Sequence, residues 1–158
     1  MGKTIQMFDG VDVTLEVSHY VSDPMVMAIT TYDAFDGTPY AVLTANLGND
    51  IGNGSFMQYG ASFANSGYGV DMVDEIVNAG LGKPYTRFGE PVVGYSGYNE
   101  YTLIEFDMDK LAELDPKGVA EYRDAWARGL ADAQQARSAS FGQDYATGVS
   151  AGDDGLGF

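Results

Sequence analysis

His19 is the chain's one histidine, so any imidazole-based chemistry must run through it. A Ser-His-Asp relay needs a nucleophile presented beside that ring, and no Gly-x-Ser-x-Gly elbow is present. His19 also falls at the end of an alternating segment, where a structural or surface role is expected. There is no cysteine, which removes disulfides, thiolate zinc sites and cysteine nucleophiles together. The segment Asn49-Asp50-Ile51-Gly52-Asn53-Gly54 has the glycines of a calcium loop but neither its alternating carboxylate ligands nor its closing Glu. The glycines from Gly48 to Gly54, and Gly94 and Gly97, carry no P-loop Lys-Ser/Thr after them and open no helix after a strand, so turns are expected there. Tyr95, Tyr98 and Tyr101 have faces on which bases could stack. No basic groove accompanies them, and packing in the core and loops is the expectation. Together these residues predict a protein without a catalytic centre, a bound metal or a cofactor. A carboxylate- or metal-dependent hydrolase is the rival, and paired Asp or Glu side chains in it need environments that split their pKa values.

The remaining chemistry is negative charge. Eight basic residues face 23 acidic ones, a formal charge of -15. Phosphate contact needs a basic surface, so direct nucleic-acid binding and anionic membranes are disfavoured. A basic protein partner is favoured, and long-range attraction would speed the encounter. Residues 1–106 hold 3 basic and 13 acidic side chains, so the field belongs mainly to that part. Asp12 and Glu16 share one face of a candidate strand, about 13 Å apart at a rise of roughly 3.3 Å per residue. Asp33 and Asp36 flank a turn. Asp71, Asp74 and Glu75 crowd one face of a candidate helix, where replacement by Ala is expected to leave the fold intact. Carboxylates set this way can imitate a phosphate backbone and occupy a basic channel. The simpler reading is a solvated face, or adaptation to high salt, which the excess of Asp over Lys would suit.

The elements that must carry these groups follow from periodicity. Val11, Val13, Leu15 and Val17 alternate with Asp12, Thr14, Glu16 and Ser18, a strand with one buried and one wet face. Lys3 to Phe8 reads as a strand before it, joined by a two-residue Asp9-Gly10 hairpin. Met25 to Tyr32 is mostly apolar and so central. Asp36-Gly37 with Pro39 makes a turn into a fourth strand, Tyr40 to Leu47. Phe56 to Phe63 and Tyr98 to Phe106 are further strands, with an ordered loop over Lys83 to Gly97. From Val70 the pattern turns helical, with Val70, Val73, Ile76 and Val77 on one face and Gly80 placed as the C′ residue. Asp107 caps a short helix through Leu114. Asp115-Pro116 opens a longer one with a stripe of Val119, Tyr122, Trp126 and Leu130. From Ser138 no period survives. The expectation is an α+β fold: an antiparallel sheet of about five to six strands, packed by one short and one longer C-terminal helix. It forms a single domain over 1–137, with a flexible Gly/Ser/Asp tail over 138–158.

The order of several short motifs resembles a family known only as a domain of unknown function. Leu43-Thr44-Ala45-Asn46-Leu47-Gly48 follows an Asp-Gly-x-Pro-Tyr turn. Then come Asn78-Ala79-Gly80-Leu81-Gly82-Lys83-Pro84 with Arg87, and Tyr101-Thr102-Leu103-Ile104-Glu105-Phe106-Asp107 leading to Lys110-Leu111. The similarity covers roughly residues 3–118. The chain departs from the family at Ala61 to Gly67, where members often carry an Asn- and Pro-rich stretch, and the Trp126 helix and acidic tail are expected to extend past the family core. Members sit on plasmids, conjugative elements and prophages of Gram-positive and gut bacteria, so the resemblance implies a setting on mobile DNA and carries over no catalytic residue. In that setting the acidic array is expected to inhibit a host defence complex. The partner would be a basic nucleic-acid-binding protein such as a CRISPR effector or restriction enzyme. The alternative is a binding module of a conjugative element that recognises a relaxase or another basic protein. No apolar run approaches the roughly 18 residues that cross a bilayer, and Met1-Gly2-Lys3-Thr4-Ile5 opens no signal segment. The cytoplasm of a bacterial host is the expected location.

Overall fold

The computed structural model of the chain describes residues 3–47, 57–66 and 69–147, the stretch 137–147 by its backbone. Strands β1 (Ile5–Met7), β2 (Val11–His19), β3 (Met27–Asp33) and β4 (Pro39–Val42) form an antiparallel sheet in that order. The alternation along β2 works as its sequence predicts: Val13, Leu15 and Val17 are buried, while Asp12 and Glu16 are exposed. The apolar β3 lies between β2 and β4, with Met27 and Ile29 fully buried. The first hairpin differs from expectation. Met7 pairs with Val11, which leaves three residues in the turn, Phe8, Asp9 and Gly10, at φ 53°, 64° and 94°. Phe8 is drawn out of the strand by two tertiary contacts. Its N–H donates to a Glu75 carboxylate oxygen, and its ring lies 5.1 Å from that of Tyr40.

The single strand expected over Tyr40 to Leu47 breaks at Leu43 and changes sheets. The Leu43 N–H donates to the Ile29 carbonyl at 2.8 Å, and its own carbonyl accepts the Asn65 N–H at 2.8 Å. Beyond this buried corner β5 (Thr44–Ala45) pairs with β6 (Ala61–Ala64). The segment read as one loop, Lys83 to Gly97, is instead four short strands: β7 (Gly82–Pro84), β8 (Thr86–Arg87), β9 (Glu90–Pro91) and β10 (Val93–Ser96). With β11 (Asn99–Phe106) they complete a second sheet, β10-β11-β6-β5 with β7 also on β11, and a separate β8-β9 ribbon. Gly and Pro hide these strands from local propensity; β7 and β10 are held by pairing with β11, and β8 and β9 by pairing with each other. At β6 and at Leu103–Ile104 of β11 the second sheet is buried on both faces. Leu103 and its partner Phe63 pack with Val26, Met57 and Ala61, whereas Ile104 joins the main core with Val17, Ile29 and Tyr122. Ser62, opposite Ile104, is fully buried and donates its hydroxyl to the Met27 carbonyl at 2.8 Å.

Three helices follow their caps. Asp71 caps α1 (Met72–Asn78), so the buried pair is Met72 and Ile76, with Val73 half-buried. Val70 precedes the helix and Val77 faces outward, each about two-fifths exposed, so the expected apolar face is turned. Gly80, at φ 76°, ends α1 as predicted: Gly80 N–H bonds the Val77 carbonyl and Leu81 N–H bonds the Ile76 carbonyl, a Schellman motif. Asp107 caps α2 (Met108–Leu114) through the Lys110 N–H. Asp115 caps α3 (Pro116–Thr147), whose Val119, Tyr122 and Ala125 are buried. Trp126 is part-buried and donates its indole N–H to the Met57 carbonyl at 3.0 Å.

The fold is thus α+β and antiparallel, with its strands divided between two sheets and a ribbon. The chain separates into two compact units, residues 1–126 and 127–158. In the second, helix continues to Thr147, past Ser138 where the sequence suggests a tail. The Ala- and Gln-containing run after Leu130 sustains it. Residues 148–158, and the Gly48 to Gly54 loop, lie outside the described residues. Among the described residues no helix is long and apolar enough to cross a membrane.

Candidate functional site

The seven carboxylates singled out by sequence fall into three local roles. Asp12 and Glu16 lie on the wet side of β2, in register with Gln6 and Thr30. The neighbouring positions on that side, Thr14 opposite Tyr32 and Ser18 opposite Ala28, are uncharged. Glu16 accepts the Tyr32 hydroxyl at 2.8 Å. That bond to the carboxylate, then burial, then the nearby negative charge raise the Tyr32 pKa above its usual value.

Asp33 and Asp36 shape the connection between β3 and β4. Asp33 accepts the Phe35 N–H at 2.7 Å, and Asp36 accepts both the N–H and the hydroxyl of Thr38 at 3.0 and 2.7 Å. These are Asx turns, in which a short acidic side chain imitates the backbone. The two Thr38 bonds hold the Asp36 carboxyl below the usual carboxylate range, the backbone one first. Asp33 is in register with inward-facing Val13, so the period of two separates it from the Asp12–Glu16 side.

The helix group divides further. Asp71 is the N-cap and accepts the Asp74 N–H at 3.3 Å. Glu75 is half-buried and ties α1 to the first hairpin through Phe8 N–H at 2.7 Å. Only Asp74 is exposed without a partner on its carboxylate, as is Asp12 among the described residues. Replacing all three with Ala would therefore disturb the fold, contrary to what the helical pattern suggests. The donors bonded to these carboxylates are all neutral N–H or O–H groups, so none of their charge is cancelled by those bonds.

His19 is half-buried at the end of β2, with Nδ1 3.3 Å from the Tyr20 carbonyl. Among the described residues no group of three or more His, Asp or Glu is placed to hold a metal ion. One open concavity of about 390 Å³ is lined by Gly80, Gly82, Lys83, Glu105, Phe106 and Asp107. There Asp107 is already engaged as the α2 cap, and Lys83 lies opposite Glu105 across the strands.

The aromatic side chains correct one expectation. Tyr101 is half-buried against the second core cluster, but Tyr95 and Tyr98 are 68% and 106% exposed. Tyr95 donates its hydroxyl to Glu100. Gly97, at φ 62°, turns the β10–β11 hairpin and so leaves Tyr98 at its tip. Gly94 serves packing, since a Cβ there would press on Leu47 and Phe63 at 2.9 Å. Phe35 and Phe88, which the sequence pattern passed over, are 97% and 98% exposed at two other hairpin turns. The signal for Phe88 was present as an aromatic-Gly pair, Phe88-Gly89, where Asn-Gly is usual.

A family model described as a domain of unknown function (DUF4313) matches residues 14–126, more than half of the chain. No curated protein and no solved structure matches it.

Proposed function

The chain belongs to the DUF4313 family, and from that premise we propose that it is a non-catalytic binding protein. It blocks a host defence complex, of the anti-CRISPR or anti-restriction kind, by occupying its basic nucleic-acid-binding surface. The observation that carries this reading is the Asp12–Glu16 side of the first sheet. Two exposed carboxylates stand about 13 Å apart on one rigid strand, with uncharged neighbours and no cation bonded to either. A strand holds such groups at a fixed spacing, which a flexible acidic loop does not. The net charge of -15 extends the attraction beyond contact. The mobile-DNA setting implied by the motif resemblance supplies the biological need, since such elements must survive host nucleases.

The test is competition. Purified protein is titrated into a panel of purified CRISPR effector complexes and restriction enzymes bound to labelled DNA. The expected result is displacement of DNA from at least one of them, reversed as salt rises toward 1 M. DNA binding unchanged across the panel would remove the proposal.

A further inference from the structure

The β8–β9 ribbon leaves the second sheet through a closed base. Tyr85 N–H donates to the Leu103 carbonyl, Leu103 N–H to the Val92 carbonyl, and Val92 N–H to the Tyr85 carbonyl, at 2.9, 2.8 and 2.9 Å. The sheet is therefore hydrogen-bonded at the point where the ribbon departs. Every residue beyond that base, Thr86 through Pro91, is exposed. At the tip Phe88 and Gly89 take φ 55° and 80°, the two left-handed positions of a type I′ turn. A bulky side chain at positive φ is a genuine outlier, and Asn is the residue that suits it. Phe88 is also 98% exposed, and no ring contact holds it among the described residues. Its backbone and its side chain both oppose its presence within this fold, a strain of the kind that persists where a residue serves contacts outside the fold.

We propose that the β8–β9 hairpin is a docking finger that seats Phe88 in an apolar pocket of a partner protein whose surrounding surface is basic. The partner's basic character rests on the function proposed above; the apolar pocket does not. Charge decides among occupants. A second copy of the chain would bring another -15, and an anionic bilayer would repel it likewise. Arg87 stands opposite Glu90 across the ribbon, so the skin of the finger next to Phe88 is close to neutral. A neutral aromatic tip on an acidic body fits an apolar pocket within a basic surface. Buried aromatic anchors of this kind dominate the affinity of an interface.

The experiment places p-benzoylphenylalanine at position 88 and, as a control, at the exposed Val21, and irradiates each with the same panel of defence complexes. A discrete adduct from position 88, absent from position 21 and competed by unlabelled protein, is expected with the complex whose DNA is displaced. Phe88→Asn should weaken binding to that complex at least tenfold while raising Tm by about 2–4 °C, because it relieves the turn. No adduct with any complex, an adduct to a second copy, binding to phosphatidylglycerol vesicles that requires Phe88, or a lower Tm for Phe88→Asn would each overturn the finger. The two readings fail separately. Binding that ignores salt but is lost in Phe88→Asn ends the electrostatic proposal and keeps the finger. Binding that is abolished by salt but unchanged in Phe88→Asn does the reverse.

Discussion

The carboxylate of Glu75 accepts the backbone N–H of Phe8 at 2.7 Å across 67 residues of sequence, joining α1 to the first hairpin. Phe8 is at φ 53° and its N–H has left the β1–β2 ladder, so Glu75 replaces a strand partner. Removing that acceptor leaves a part-buried donor unpaired. Glu75→Ala is therefore expected to destabilise the protein by about 1–3 kcal/mol in urea titrations. Glu75→Gln, which keeps an acceptor oxygen, should lose clearly less. Asp74→Ala, one position away and exposed, should stay within about 0.5 kcal/mol. Equal costs for Glu75→Ala and Asp74→Ala would mean that the Phe8 bond contributes nothing.

Gly118 reverses the usual rule for helices. Gly to Ala inside a helix ordinarily stabilises by about 0.5–1 kcal/mol. Here an added Cβ would overlap the Asp115 carboxylate and the Val17 carbonyl. That same carboxylate accepts the Val17 N–H at 2.9 Å and the Gly118 N–H at 3.1 Å, so it caps α3 and ties it to β2 at once. Gly118→Ala should lower stability, by about 1–3 kcal/mol as for other overpacked sites. A rise in Tm for this variant would show that the junction can shift at no cost.

Burial of Tyr122 makes the fold sensitive to alkali. Its ring is buried and its hydroxyl oxygen accepts the Gly60 N–H at 2.8 Å. Burial pushes the phenol's pKa well above the ordinary 10.0. The unfolded chain ionises near 10 while the folded one does not, so this contribution is full below pH 10 and falls as pH rises beyond it. Urea midpoints measured from pH 8 to 11.5 should decline above pH 10. Tyr122→Phe should be less stable at pH 8 by about 1–3 kcal/mol, because the Gly60 N–H loses its acceptor. Its midpoint should then decline less steeply with pH. A parallel decline in both proteins would place the alkaline sensitivity in other tyrosines.

The parts of this fold that sequence discloses are those fixed by local rules. The alternation along β2, the Asp107 and Asp115 caps and the Gly80 terminator each depend on neighbours within a few residues, and each stands where periodicity and capping place it. The parts that stay hidden depend on distant partners. Leu43 looks like mid-strand and becomes a corner only because Ile29 and Asn65 bond it from different sheets. Tyr85 to Val92 resembles a loop until β11 pairs on both sides of it. The acidic site is legible in the same partial way. Composition locates the charge, but the local cap bond of Asp71 and the tertiary bond of Glu75 mark these two as holding the fold, whereas Asp12 and Glu16 stay exposed on β2.

That separation yields a test of the acidic face that leaves stability aside. Asp12 carries no side-chain partner among the described residues, and Glu16 accepts one hydroxyl, which Gln can also accept. Asp12→Asn with Glu16→Gln keeps shape and hydrogen bonding while removing two charges from β2. The double variant should unfold within about 0.5 kcal/mol of the parent. Its affinity for the complex identified by DNA competition should drop by tenfold or more at low salt. The difference should shrink as ionic strength rises, because the Debye length falls from roughly 10 Å at 0.1 M toward 3 Å at 1 M. A matched double variant at Asp124 and Asp132, on α3, controls for net charge alone. If both pairs weaken binding equally, total charge drives the association and the β2 spacing has no part in it. If only the β2 pair does, the strand is the surface that meets the partner.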